Sequence, residues 1–290
     1  MSDKEVQDYA HRVKKFYCRR AFLIEQMCEE TSAGCKLRLN FDTSPEELPP
    51  ASYEPLSRLY EDSHVLACAA LDGLSFWWQI LQGGPVSKLK SEQRYTQFLL
   101  ELNSPKELSL VSIPFLYFSL EKQGIEKPFR ELILQKWGDG CDDPNIAQVS
   151  IEGPTVDELK LEYEKVSVRE IENIDQTLPR FTYSGLIYKY YRCSFVHQYM
   201  GSGNTGGFAR GEEMMVYFET GLQRIEVDES GTVSLVEEVY PERIPKLDIG
   251  LGVLTKAIRD GADFVHRLII KNNCREMPKT STPIRIVSRH

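Results

Sequence analysis

Apolar residues recur at helical spacing from the beginning of the chain. Val6, Tyr9, Val13, Phe16, Tyr17, Ala21, Leu23, Ile24 and Met27 predict one helix over residues 3–30. Asp42-Thr43-Ser44-Pro45 and Pro49-Pro50 mark a loop. Pro55 suits a first helical turn, and a long, strongly apolar helix runs from it to about Leu81, where Gly83-Gly84-Pro85 stops it. Its Ala67, Cys68, Ala69 and Ala70 are small enough to let another helix approach closely. A third helix is expected over 91–103. Ser104-Pro105-Lys106-Glu107 then reads as a capping box with proline in the first helical position, and Pro114 as a kink in the element it opens.

Residues 125–137 look helical and end at Gly138-Asp139-Gly140. Thr155-Val156-Asp157-Glu158 is a second capping box, expected to open a charged helical stretch through about residue 173. High charge density and a weak apolar stripe make 121–180 an insertion or peripheral lobe. A further helix is predicted over 185–199, followed by the glycine-rich loop Gly201 to Gly207. Met215 to Glu219, Gln223 to Val227 and Val233 to Val239 alternate apolar and polar residues, with a turn at Asp228-Glu229-Ser230-Gly231. They predict a small β-hairpin or meander over 212–240. Helical periodicity returns from Leu247 to Ile270, and the tail 278–290 reads as extended. The expected fold class is mainly α: one domain over 1–290, a helical bundle with an inserted hairpin and a peripheral helical insertion.

Composition narrows the function classes. No apolar run approaches a membrane span, and the charged start Met1-Ser2-Asp3-Lys4-Glu5 does not resemble a signal-peptide core, so a cytoplasmic protein is expected. The seven cysteines form no CxxC pair and no zinc spacing, which predicts reduced thiols and no metal or other cofactor. A net charge of −8 argues against nonspecific coating of nucleic acid, but leaves room for a local positive cluster.

The chemistry worth pursuing lies in Tyr188-Lys189-Tyr190-Tyr191-Arg192-Cys193-Ser194-Phe195-Val196-His197-Gln198-Tyr199. Histidine moves protons near neutral pH, and arginine neutralises charge on a pentacovalent phosphorus, so Arg192 and His197 suit metal-free phosphodiester cleavage. On an ideal α-helix their spacing gives roughly 7.5 Å of rise and roughly 140° of rotation, so the two would flank a groove. Arg285 lies equally far before His290, but in a terminal tail with nothing to hold the pair. The competing reading makes Arg192 half of a structural ion pair and His197 a satisfied core residue.

The tract Leu186 to His197 resembles the signature helix of the HEPN superfamily, an arginine, four residues and a histidine in an aromatic-rich helix. Leu71-Asp72-Gly73-Leu74 and Arg94-Tyr95-Thr96-Gln97-Phe98-Leu99 are compatible with the helices that precede that signature. The resemblance implies a helical bundle that dimerises. It also implies a metal-independent endoribonuclease of the toxin–antitoxin or anti-phage defence type, with Arg192 and His197 as catalytic residues. Active members often carry asparagine or another polar residue after the arginine, where this chain has Cys193. The alternative is a catalytically silent HEPN-like module that dimerises or binds a nucleotide or partner. Tyr199, two residues past His197, matches a toxin subgroup whose tyrosine is modified by a nucleotidyltransferase antitoxin, and implies such a partner.

Other features add less. His11, Arg12, Lys14, Lys15, Arg19 and Arg20 make a basic face on the first helix. Lys14, Lys15 and Arg19 of that face, with Lys189 of the signature tract, are the expected contacts to an RNA backbone. The Gly201 to Gly207 stretch lacks a Walker ending and reads as a loop. Phe76-Trp77-Trp78 reads as core or interface, and His64 and His266 as structural.

Overall fold

The computed structural model describes residues 2–39, 54–124, 127–138, 140–166, 169–194, 204–205, 211, 213–227 and 233–273; for 28–39, 54–61, 219–227 and 233–242 it describes backbone only. The protein is mainly helical. Helix α1 (Asp3–Leu39) packs against α2 (Glu54–Gln82) and α9 (Leu251–Lys271), and α2 also packs against α3 (Ser91–Leu102). On α1, among residues whose side chains are described, the buried positions are Val6, Ala10, Val13, Tyr17, Ala21 and Ile24, a spacing of three and four that keeps one face inward. Leu23, expected on that stripe, falls off it and is 59% exposed. Ala67, Cys68 and Ala70 of α2 are buried as their size predicts, whereas Ala69 faces outward. Gly73 lets α1 come close to α2: a Cβ there would stand 2.7 Å from the Tyr17 hydroxyl. Helix α9 buries Leu254, Ala257, Ile258, Ala262 and Val265, and each of its larger aliphatics contributes about 1.5–3 kcal/mol.

The remaining helices between α3 and α9 are α4 (Ile113–Gln123), α5 (Lys127–Trp137), α6 (Val156–Tyr163), α7 (Ile174–Thr177) and α8 (Tyr183–Leu186). Three expectations change here. Pro114 starts α4 within its first turn instead of kinking a longer helix, because a proline at a helix start forfeits no hydrogen bond. The Ser104 capping box does not form, since the Ser104 hydroxyl donates to Asp260 on α9 and only a 3₁₀ turn, Lys106–Ser109, follows. The Thr155 capping box does form: Thr155 Oγ1 accepts from the Glu158 amide, and Glu158 accepts from the Thr155 amide at 2.7 Å. Its helix nevertheless ends at Tyr163, short of the expected 173. Within the 121–180 stretch, Phe129, Ile133, Leu159 and Tyr163 are buried, with the Phe129 and Tyr163 rings edge-on at 5.0 Å.

Strands β1 (Gln148–Val149), β2 (Met214–Val227) and β3 (Val233–Ile249) form one antiparallel sheet in that order. The hairpin therefore extends past the expected residue 240. Leu247 and Ile249 belong to β3, not to the last helix, because both bury on one sheet face while Lys246 and Asp248 alternate away. Gly250 makes the turn into α9, and a Cβ there would lie 2.0 Å from the Gly211 carbonyl oxygen. Strand β1, paired as Val149 with Val216, was not expected; two residues are too short for an alternation to register.

Candidate functional site

The Arg192 tract begins as an α-helix and widens. Thr182 caps α8 by accepting from the Gly185 amide at 3.2 Å. From Ile187 to Arg192 the turn is π-helical, closed by the Cys193 amide donating five residues back to the Tyr188 carbonyl. An α-helix was expected throughout. The wider turn gives three nearly consecutive tyrosines separate anchors. Tyr188 lies 5.4 Å from the Tyr95 ring of α3, Tyr190 lies 5.5 Å from Phe115 of α4, and the Tyr191 hydroxyl donates to the Leu247 carbonyl at 2.8 Å. That hydroxyl also accepts from the Ile249 amide at 3.1 Å, so Tyr191 fastens the π segment to β3. Rare π turns gather at functional sites, where a side chain must be re-aimed.

On one side of this segment sits Arg192. Its Nη2 donates to Asp72 Oδ2 of α2 at 2.9 Å, and Arg94 of α3 bonds the other oxygen of the same carboxylate at 2.5 Å. Two guanidiniums thus share one carboxylate, and the trio carries a net positive charge. Burial works against the charge of Arg192, but the hydrogen bond and charge of Asp72 outweigh it and raise its pKa. The guanidinium also lies 5.3 Å from the centre of the Tyr188 ring. Arg94 is further held by the Ser75 hydroxyl at 3.1 Å. Cys68 sits beneath this group, and burial pushes its thiol up to about 12. The competing reading expected an ion pair at Arg192, and one exists with Asp72; its other half, a core His197, falls outside the described residues.

His197 and Tyr199 lie outside the described residues, as does most of the Gly201–Gly207 loop. Of that loop, the Asn204 carbonyl accepts from the Leu247 amide at 2.8 Å and Thr205 bridges to β3. His64 is fully buried on α2, donates through Nε2 to the Ile249 carbonyl at 3.2 Å and stacks on Tyr191. Burial lowers its pKa to about 4, which keeps it neutral and structural. His266 is half-buried on α9, its pKa lowered by burial and by Lys14. Trp78 is core and donates to Glu101 at 3.0 Å, while Phe76 is exposed beneath Arg94.

Lys14 pairs with Asp263 of α9, and Lys15 and Arg19 are exposed on α1. Lys189 lies on the other side of the π segment from the Asp72 trio. It lines a cleft of about 660 Å³ with Phe118, Phe181, Tyr190, Lys122 and Arg243. The Lys189 ammonium stands 4.8 Å from the centre of the Tyr190 ring.

Asp72 and Arg94 lay inside tracts quoted for the family resemblance, yet sequence reasoning assigned them no role. A signal was present: Asp72 is the one carboxylate between residues 63 and 82, a run otherwise of apolar and neutral polar residues and His64. A charge placed there must be paired across the helix interface. Among the described residues, no group of three His, Cys, Asp or Glu side chains could hold a metal, and no helix is long and apolar enough to cross a membrane. Cys18, Cys68, Cys141 and Cys193 are free thiols. The chain matches no family model, no curated protein and no solved structure.

Proposed function

We propose that this chain is a HEPN-like, metal-independent endoribonuclease of the toxin–antitoxin or anti-phage defence type, acting in the cytoplasm as a homodimer. The observation that supports this reading is the Arg192–Asp72–Arg94 trio at the end of a π turn. It holds the Arg192 guanidinium in place beside the tract that continues to His197. In the reaction, a ribose 2′-oxygen attacks its own phosphorus while His197 accepts the 2′-hydroxyl proton. The P–O5′ bond then breaks, and the 5′-oxygen leaves with a proton returned by the imidazole or its counterpart on the second subunit. Arg192 neutralises the phosphorane-like charge, and a 2′,3′-cyclic phosphate remains. Tyr199 would be the position at which a nucleotidyltransferase antitoxin silences the enzyme. A neighbouring reading frame encoding such an enzyme is the corresponding observation.

The test is RNA cleavage by purified protein in excess chelator. Wild type should cut, while His197→Ala and Arg192→Lys should lose at least about a hundredfold in rate with unchanged circular dichroism. Cleavage that persists in His197→Ala rejects the assignment. A second reading, a catalytically silent module, is favoured by one feature: the Arg192 side chain is only 14% exposed and already holds Asp72. Intact RNA after incubation with folded, dimeric wild type would select it.

A further inference from the structure

The cleft on the far side of the π segment joins Lys189, an expected RNA contact, to aromatic walls and two further cations that the cleavage reading does not use. Its walls are aromatic: Phe118 of α4, Phe181 just before α8, and Tyr190. All three are partly open, although each also packs against the core, Phe118 edge-on to Phe218 and Tyr190 against Phe115. Lys122, Lys189 and Arg243 line the same space. Among the described residues none of these cations pairs with a carboxylate, whereas Glu121, the carboxylate of the lining, is already matched by Arg130 at 3.4 Å. Unanswered positive charge concentrated in one cleft is notable in a chain of net charge −8.

Arg243 is fixed, not adaptable. Its guanidinium donates to the Cys141 and Ile146 carbonyls and lies 3.8 Å from the centre of the Phe218 ring. Its Nε is buried and has no hydrogen-bond partner among the described residues. It therefore supplies field, while the exposed Lys122 and Lys189 supply contacts. Aromatic faces beside exposed cations suit an unpaired base carried on a phosphate. A volume near 660 Å³ suits a unit of nucleotide size.

We infer that this cleft binds an unpaired nucleotide, stacking its base on the aromatic walls and holding its phosphate with Lys122 and Lys189. The nucleotide belongs to a single strand or is free; both present the same chemistry. Duplex is disfavoured as a ligand, because within a helix both faces of each base are covered by stacking on neighbouring pairs. The inference does not rest on Arg192 or His197, and its test avoids cleavage.

Binding would be measured with a fluorescein-labelled 2′-O-methyl dodecaribonucleotide, which lacks the attacking hydroxyl, alongside the same strand in a duplex, adenosine 5′-monophosphate and inorganic phosphate. The single strand should bind at least about tenfold tighter than the duplex. If adenosine 5′-monophosphate competes at the strand's own affinity per nucleotide, the site takes free nucleotide; if it competes only weakly, the site takes a strand. Lys122→Glu/Lys189→Glu should weaken binding at least about tenfold and flatten its salt dependence. The matched reversal Lys88→Glu/Lys106→Glu, placed on exposed turns elsewhere, should change it less than about twofold. Tyr190→Leu should cost about tenfold with the salt dependence unchanged. Equal affinity for duplex and single strand, phosphate competing as well as the nucleotide, or binding indifferent to the Lys122/Lys189 reversal would each overturn the inference. Cleavage activity can fail while this binding stands, and the reverse.

Discussion

The two sides of the π segment spend charge in opposite ways. On the Arg192 side, the carboxylate of Asp72 sits between two guanidiniums, and aromatic rings from α3 and from the segment itself cover the group. On the Lys189 side, cations face aromatic rings with no carboxylate matched to them among the described residues. One arrangement holds three helices in register and keeps a guanidinium in place. The other leaves its attraction for an anion to be satisfied from outside. The same six-residue turn serves both, because a π turn spreads its tyrosines toward α3, α4 and β3. Cations gathered on a carboxylate hold the scaffold, whereas cations with none beside them are the ones we infer to serve recognition.

The sharpest way to break this contrast is to remove the shared carboxylate. Asp72→Asn leaves Arg94 and Arg192, whose side chains are 12% and 14% exposed, facing each other without an anion. The expected loss is about 3–5 kcal/mol, read from the denaturant midpoint in equilibrium unfolding. A loss below about 1 kcal/mol would mean that water already solvates the trio, and that the side is not closed at all.

How much of this was legible beforehand differs by element. Helices α2 and α3 were readable because apolar periodicity and the Gly83-Gly84-Pro85 stop agree, and the Thr155 box because its partner lies three residues away. The extent of β3 was not readable. Leu247, Ile249 and Leu251 fit the end of a strand and the start of a helix equally well, and the deciding contact is the pairing of Leu247 with Val216. The π turn was hidden for a related reason: its cause is the reach of Tyr191 to Leu247 and Ile249, some sixty positions on. The composition of the trio was half visible. Arg192 stood out by its tract, but its carboxylate is 120 positions earlier in the chain, and only the oddity of a charge within an apolar helix points to it. The cleft was opaque, since Lys122, Lys189 and Arg243 share no local pattern.

The next effect in size is pH dependence on the anchored side. His64 stacks on Tyr191, and its pKa falls from 6.5 to about 4 because burial penalises the charged ring. The unfolded chain therefore takes up a proton near pH 6.5 that the folded chain refuses until about pH 4. The contribution of neutral His64 is fully present above the higher value and is lost as pH falls through the lower one. Roughly 3 kcal/mol should disappear across that window. His64→Gln keeps a donor for the Ile249 carbonyl without titrating, so its unfolding free energy should fall less steeply between those pH values. Parallel acid limbs for the two proteins would dissociate His64 from the anchor. A smaller loss, about 1–3 kcal/mol, is expected for Tyr191→Phe, which strips a buried hydroxyl from the Leu247 carbonyl and the Ile249 amide.

The smallest predicted change says most about the other side. Lys189 is exposed and makes no ion pair among the described residues, so Lys189→Ala should move the unfolding free energy by less than about 0.5 kcal/mol. Three positions later in the same turn, Arg192→Ala deletes a hydrogen bond to a half-buried carboxylate and should cost about 1.5–3 kcal/mol. Two cations on one turn should therefore separate cleanly in a single series of denaturant titrations. Equal costs would mean that Lys189 has an internal partner and that the cleft is part of the scaffold. A stability left untouched by Lys189→Ala, beside weakened binding of the 2′-O-methyl strand, is the pattern expected when a side chain is kept for something outside the fold.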